Sequence, residues 1–187
     1  MLKKIVLGLA LTCGASAALA EGPKMGGVIN AVIQPEPPGL MMALVQNGPT
    51  QMVSGNIFEG LLRYSPKLEP LPGLAESWTV SEDAKVYTFK LKPGVTWHDG
   101  KPFTSADVLF SIDMLKQTHP RARNNTVQVE KIEAPDDLTV VFTLKQPFGP
   151  FLGIFEVGSM PIVPKHPYTS ELLAAVPGQQ NPVSLSA

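Results

Sequence analysis

The residues best equipped for chemistry are few. Trp97-His98-Asp99-Gly100 sets an imidazole beside a carboxylate. Such a pair can orient a general base, but adjacent residues on an extended chain point in different directions, and no nucleophile is placed with it. A turn leading into a capped helix accounts for the same four residues with less demand. His119 and His166 stand beside or near prolines, with no partner at i+4 for a zinc site. Cys13 is the only cysteine, so no thiolate metal set exists. Asn124-Asn125-Thr126 matches a glycosylation sequon. The residues therefore predict no catalytic group, no metal site and no cofactor, and a secreted hydrolase is disfavoured for want of a nucleophile, base and orienter.

A second kind of chemistry is recognition. Gln34-Pro35-Glu36-Pro37-Pro38-Gly39 packs three prolines and a glycine into six residues, which stiffens a loop and forbids regular structure. Met41, Met42 and Gln46 follow it. Polar ends on a rigid loop beside flexible thioethers suit a wall that selects a ligand yet tolerates varied side chains. A surface connection with core methionines fits the same residues. Gln34, Glu36, Met41, Met42 and Gln46 are the candidate ligand-binding residues.

These residues need a scaffold, and the compartment comes first. Lys3 and Lys4, the apolar run Ile5–Leu11 and Ala18-Leu19-Ala20 form the pattern of a cleavable secretion signal over residues 1–20. The apolar run is too short to span a bilayer. Ala10-Leu11-Thr12 makes a poor lipobox, so cleavage after Ala20, removing Cys13, is expected rather than lipidation. An exported, periplasmic or extracytoplasmic protein follows, and a bacterial-type signal makes the sequon irrelevant. The formal net charge is −1, from 15 basic and 16 acidic residues, which gives no basic face for nucleic acid.

Along the mature chain, Val28–Ile33 reads as a buried strand and Thr50–Glu59 as a short helix, capped by Thr50 and stopped by Gly60. Leu61–Tyr64 reads as another strand. Trp78 and Val80, then Tyr87, Phe89 and Leu91, alternate with polar residues around the turn Ser81–Lys85. Period two on both sides of a turn predicts a hairpin with one buried face. Val127, Val129 and Ile132, the turn Pro135-Asp136-Asp137, and Leu138, Val140, Phe142 and Leu144 predict a second one. Between the hairpins, Thr104-Ser105-Ala106-Asp107 resembles a capping box opening a helix with Val108, Leu109, Ile112 and Leu115 on one face. Residues 120–125 read as a loop, and Phe148–Phe155 as an apolar segment. Mixed hairpins and short helices without regular βαβ alternation predict α+β architecture.

The stretch from Gly73 to Val108, GLAESWTVSEDAKVYTFKLKPGVTWHDGKPFTSADV, resembles the extracytoplasmic solute-binding proteins of family 5, the peptide, nickel and opine-binding type. So do Asn56-Ile-Phe-Glu-Gly-Leu-Leu62 upstream and Val163-Pro-Lys-His166 downstream, in the family's order and spacing. The resemblance implies a two-lobed, periplasmic-binding-protein-like fold that closes over a solute and delivers it to an ABC permease in the membrane. It implies binding without chemistry, by a monomer. The ligand would be a peptide or similar small molecule: an oligopeptide, dipeptide, opine, nickel chelate or sugar. It implies too that the loop Gln34–Gly39 borders the cleft between the lobes.

Residues 21–166 are expected to be the N-terminal lobe of such a protein. Residues 167–187 lack the family's expected glycine-rich continuation and second lobe. A frameshift or premature stop near residue 167 would explain that tail, and a short paralogue is the alternative. Two functions follow: the substrate-binding component of an importer, truncated here, or a truncated product with no ligand binding.

Overall fold

The structure, a computed structural model, describes residues 26–165. The expected signal segment, Cys13, His166 and the tail over 167–187 lie outside the described residues. Contacts divide the chain into two units, Met1–Val32 and Ile33–Ala187.

In the first unit the expected strand over 28–33 does not form. Val28, Ile29 and Val32 are 87–94% exposed. A β-branched run supplies propensity, but a strand exists only by pairing, and no strand among the described residues pairs with this one.

The second unit is α+β, as expected. Its elements in chain order are α1 (Gly48–Ser54), β1 (Leu62–Tyr64), β2 (Pro70–Pro72), β3 (Ala75–Val80), β4 (Val86–Leu91), α2 (Ser105–Thr118), α3 (Pro120–Asn125), β5 (Val129–Asp136), β6 (Thr139–Leu144) and a 3₁₀ segment, Gly149–Phe155. Strands β1 and β2 form a small antiparallel ribbon, and the other four make an antiparallel sheet in the order β3-β4-β6-β5. The ribbon strand β2 escaped the sequence reading because Pro70 and Pro72 flank its one remaining N–H. Such a strand is tolerated only at an edge.

Both hairpins form, joined through β4 and β6. Tyr87 lies opposite Phe142 and Phe89 opposite Val140, so their side chains share a face. That face is the core: Tyr87, Phe89, Leu91, Val140, Phe142 and Leu144 are all buried. Trp78 pairs with Phe89 but is only half-buried, because β3 is an edge strand. Leu138 is exposed in the turn rather than in the strand. Asp136 moves the turn by one residue, its Oδ1 accepting the Leu138 N–H at 2.8 Å and its Oδ2 accepting the Thr139 hydroxyl at 2.8 Å.

Phe151 and Phe155 of the 3₁₀ segment close over this face. Phe142 meets both edge-on, at ring-centre distances of 5.6 and 4.9 Å. Burying a phenylalanine completely contributes about 1.5–3 kcal/mol, and edge-to-face pairs add to it.

Helix α2 packs against β5 and β6. The Asp107 carboxylate reaches back to the Thr104 N–H at 2.9 Å, the capping-box role expected of it. Val108, Ile112 and Leu115 are buried as predicted, and Phe110, Ser111 and Met114 are buried as well. The helix is therefore enclosed on more than one side. Segment 160–165 supplies part of that enclosure. The Ser111 hydroxyl donates to the Asp107 and Val163 carbonyls, accepting in turn from the Val163 N–H at 2.9 Å. The Lys165 N–H donates to Asp107 Oδ1 at 2.7 Å.

Two local expectations are corrected. Residues 120–125 form α3 rather than a loop. Pro120 starts the helix without wasting an N–H, and the His119 ring caps it, Nδ1 accepting the Ala122 N–H at 3.2 Å. Helix α1 starts from Asn47, whose Oδ1 accepts the Thr50 N–H at 2.8 Å, and it ends at Ser54. Thr50 is instead buried inside it, and Gly60 lies well beyond its end.

Candidate functional site

The loop that carries the expected binding residues is anchored at its C-terminal half. Thr50 Oγ1 donates to the Gly39 carbonyl at 3.0 Å and Ser54 Oγ to the Leu40 carbonyl at 2.6 Å. Thr118, at the end of α2, donates to the Ala43 carbonyl at 3.3 Å. Met41 O accepts from both Leu44 and Val45 N–H, closing a turn. The interior hydroxyls of α1 thus serve the loop, which explains why Thr50 is not the cap. On this frame Gln34, Glu36 and Gln46 are exposed, Met41 is half-buried and Met42 is buried in the core. The Gln34–Pro35 peptide is cis. None of the five residues lines either of the cavities described next.

The larger cavity, about 740 Å³, opens where the ribbon meets the chain after the 3₁₀ segment. Phe58, Glu59, Gly60, Leu62 and Tyr64 form one side of it, and Gly153, Glu156 and Val157 another. Gly60 makes this juxtaposition possible. A Cβ there would sit 2.3 Å from the Phe155 carbonyl oxygen and 2.8 Å from the Val157 nitrogen. Only a residue without a side chain lets the two backbones pass so closely. The Ile162 N–H donates to the Glu59 carbonyl at 2.9 Å and the Leu74 N–H to Gly60 O at 3.0 Å, which holds the wall in place.

Four polar side chains line the cavity: Glu59, Arg63, Tyr64 and Glu156. The Tyr64 hydroxyl is buried and has no hydrogen-bond partner among the described residues. Burial, followed by the nearby negative charge of Glu156, raises its pKa above the usual phenol value. The Glu156 carboxylate accepts the Gly158 N–H and the Ser159 hydroxyl, both at 3.0 Å, and has no cationic partner among the described residues. Arg63 is turned to the ribbon, its Nε donating to the Pro72 carbonyl at 3.1 Å. His119 is buried nearby in the electrostatic sense. Desolvation first and the Arg121 charge second lower its pKa, while Glu156 opposes them.

A smaller cavity of about 370 Å³ lies on the other side of Phe58 and Glu59, walled by Ile57, Leu74, Val95, Trp97 and Phe103. The tempting His98-Asp99 pair is a turn. Gly100 N–H donates to the Trp97 carbonyl, Gly100 takes the positive φ of 83° that the turn requires, and Asp99 pairs with Lys101 at 3.1 Å. Both the His98 and Asp99 side chains are exposed. The geometry offers a concave wall lined by apolar side chains, a hydroxyl and carboxylates.

The sequence model for bacterial extracellular solute-binding proteins, family 5, matches residues 69–181. The chain belongs to that family. Among curated relatives, this family 5 chain is 36% identical over 105 residues to a glutathione-binding protein of Pectobacterium atrosepticum, covering 55% of the chain and 20% of the relative. It is 37% identical over 126 residues to a putative ABC transporter peptide-binding protein of Brucella ovis, covering 66% of the chain and 22% of the relative. Among solved structures, the PBP AgaA of A. tumefaciens R10, in complex with agropinic acid, superimposes with a TM-score of 0.66 at 33% identity, covering 76% of the chain and 29% of that structure. The chain thus spans about a fifth of the length of these curated relatives. Its fold is part of the family's periplasmic-binding-protein architecture. The curated relatives are named as binding proteins, the Brucella one as that of an ABC transporter.

Within Asn56–Leu62, which carries part of the family resemblance, Phe58, Glu59, Gly60 and Leu62 line the larger cavity, and no spacing in the sequence marks them for it. Tyr64 read only as the end of a strand, and Glu156 only as the residue after an apolar run. A charged residue closing such a run was the one signal available.

Proposed function

We propose that this chain is part of the substrate-binding component of an ABC importer, capturing a peptide or similar small solute outside the cytoplasm for delivery to a membrane permease. Family membership carries the proposal, and relatives named for glutathione and peptides, with a neighbour solved in complex with agropinic acid, support the solute class. Capture is by burial and shape, without chemistry, since tight binding of a small solute requires most of its surface to leave water. The candidate wall includes Gln34, Glu36, Met41 and Gln46, with Met42 supporting it from the core. The described lobe forms one wall, and the remaining length of the relatives supplies the other.

Calorimetry with glutathione, a tripeptide and an opine tests this on two proteins: the 187-residue chain, and a chimera that carries the remaining length of the Brucella relative. The chimera binds one of these solutes at micromolar level or tighter. The chain alone binds near 1 mM, about −4 kcal/mol. A chimera that folds and binds none of the panel overturns the assignment.

A further inference from the structure

Of the asparagines in the chain, Asn47 alone is followed by glycine. That pairing carries a chemistry of its own. The backbone nitrogen of the next residue can attack the asparagine carboxamide, and a glycine there sets no Cβ in the way. The structure places the pair at the start of α1. Asn47 is half-buried and extended, with φ −123° and ψ 162°, and its Oδ1 accepts the Thr50 N–H at 2.8 Å. Gly48 is exposed, and a Cβ added to it would meet nothing within 4 Å. As the first residue of the helix, Gly48 has no intrahelical acceptor for its N–H. Attacking nitrogen and carboxamide are thus neighbours at an open corner, and the cap hydrogen bond restrains the carboxamide.

We propose that Asn47 is a site of spontaneous deamidation, gated by opening of the α1 cap. The Gly48 nitrogen gives up its proton and bonds to Asn47 Cγ, the Cγ–Nδ2 bond breaks, and Nδ2 leaves as ammonia. Water then opens the five-membered imide. Cleavage at Cγ leaves aspartate. Cleavage at the Asn47 backbone carbonyl leaves isoaspartate, whose main chain runs through Cγ and is one carbon longer. Nothing is oxidised or reduced. The two products act differently on the loop before α1. Aspartate keeps the cap and adds negative charge at the helix start, where it is favoured. Isoaspartate moves the carboxylate out of register with the Thr50 N–H. Because Thr50 Oγ1 and Ser54 Oγ hold the Gly39 and Leu40 carbonyls, that form loosens residues 39–46. The inference is independent of the importer reading.

The test is ageing of the 187-residue chain in mildly alkaline buffer, with peptide mapping by mass spectrometry for replacement of NH₂ by OH. Asn47 converts ahead of Asn30, Asn56, Asn124 and Asn125. A synthetic peptide over residues 44–51 converts about fivefold faster or more, the factor that a cap of about 1 kcal/mol withholds. Gly48→Ala, which suits a helix and has room for its Cβ, stays amidated over the same interval. Asn47→Asp keeps the melting temperature. The isoaspartate fraction, separated by chromatography, melts lower and shifts the amides of residues 39–46 and 50–54. Another asparagine converting first, or Asn47 intact in the folded chain long after the peptide is spent, overturns the site. Equal rates for peptide and folded chain overturn the gating by the cap, and unshifted loop amides in the isoaspartate fraction overturn its link to the loop.

Discussion

The sheet and the cavity edge are held by opposite means. In the sheet, side chains decide: alternating apolar residues on β4 and β6 meet in register, and Phe151 and Phe155 seal them. At the cavity edge, backbones decide. Gly60 passes within a methyl's width of residues 155–157, and Gly73 has the Gly60 carbonyl 2.7 Å from where its Cβ would be. The first region tolerates no loss of volume and the second no gain. A close backbone approach also leaves gaps between side chains, so the cavity lies at the edge and not in the sheet.

Substitutions break this contrast in a graded way. The largest effect is expected from Phe89→Ala or Phe142→Ala. Both side chains are fully buried, and each truncation destabilises by about 3–5 kcal/mol, read from the denaturant midpoint. An unchanged midpoint for both would mean that the strand faces are misassigned. Ser111→Ala strands the buried Val163 N–H that its hydroxyl now accepts, and costs about 1–3 kcal/mol in the same measurement. Gly60→Ala tests the other rule by adding one carbon. It destabilises by about 1–3 kcal/mol, whereas Gly149→Ala, with open space around its Cβ, changes the midpoint far less. If the two alanines behave alike, the close approach at Gly60 is not structural.

The smallest effect is one of pH. The His119 pKa is lowered by burial and by Arg121, so the neutral ring is the folded form. Its contribution is fully present above the unfolded value, about 6.5, and is lost as pH falls through the lower folded pKa. Protonation also removes the Nδ1 acceptor that caps α3. The melting temperature therefore drops between pH 7 and pH 5, and His119→Asn, which keeps a capping oxygen, flattens that slope. An identical slope in the variant assigns the acid sensitivity to other groups.

Much of the scaffold was legible in advance because its causes are local. Period-two alternation at Tyr87, Phe89 and Leu91 and at Val140, Phe142 and Leu144 fixes which face is buried, whatever the sheet order. Asp107, three residues after Thr104, marks a helix start by the same near-neighbour geometry. The errors arose where a residue's role is set by something distant in sequence. Val28–Ile33 has the composition of a strand and no partner among the described residues. Thr50 has the chemistry of a cap, yet its hydroxyl serves Gly39 while Asn47 takes the cap.

By itself, the sequence determined the α+β class, the two hairpins, the capped helix between them and the family resemblance, because each depends on residue types at short, fixed spacings. Only the tertiary structure decided that Gly60 must be a glycine, that His119 caps a helix, and that Tyr64 and Glu156 face one cavity. Tyr64 and Glu156 are separated by β2, two hairpins, two helices and the 3₁₀ segment, and no periodicity reaches across that distance. What unites them is the passage of two backbones at Gly60, a contact set by the packing of the whole lobe.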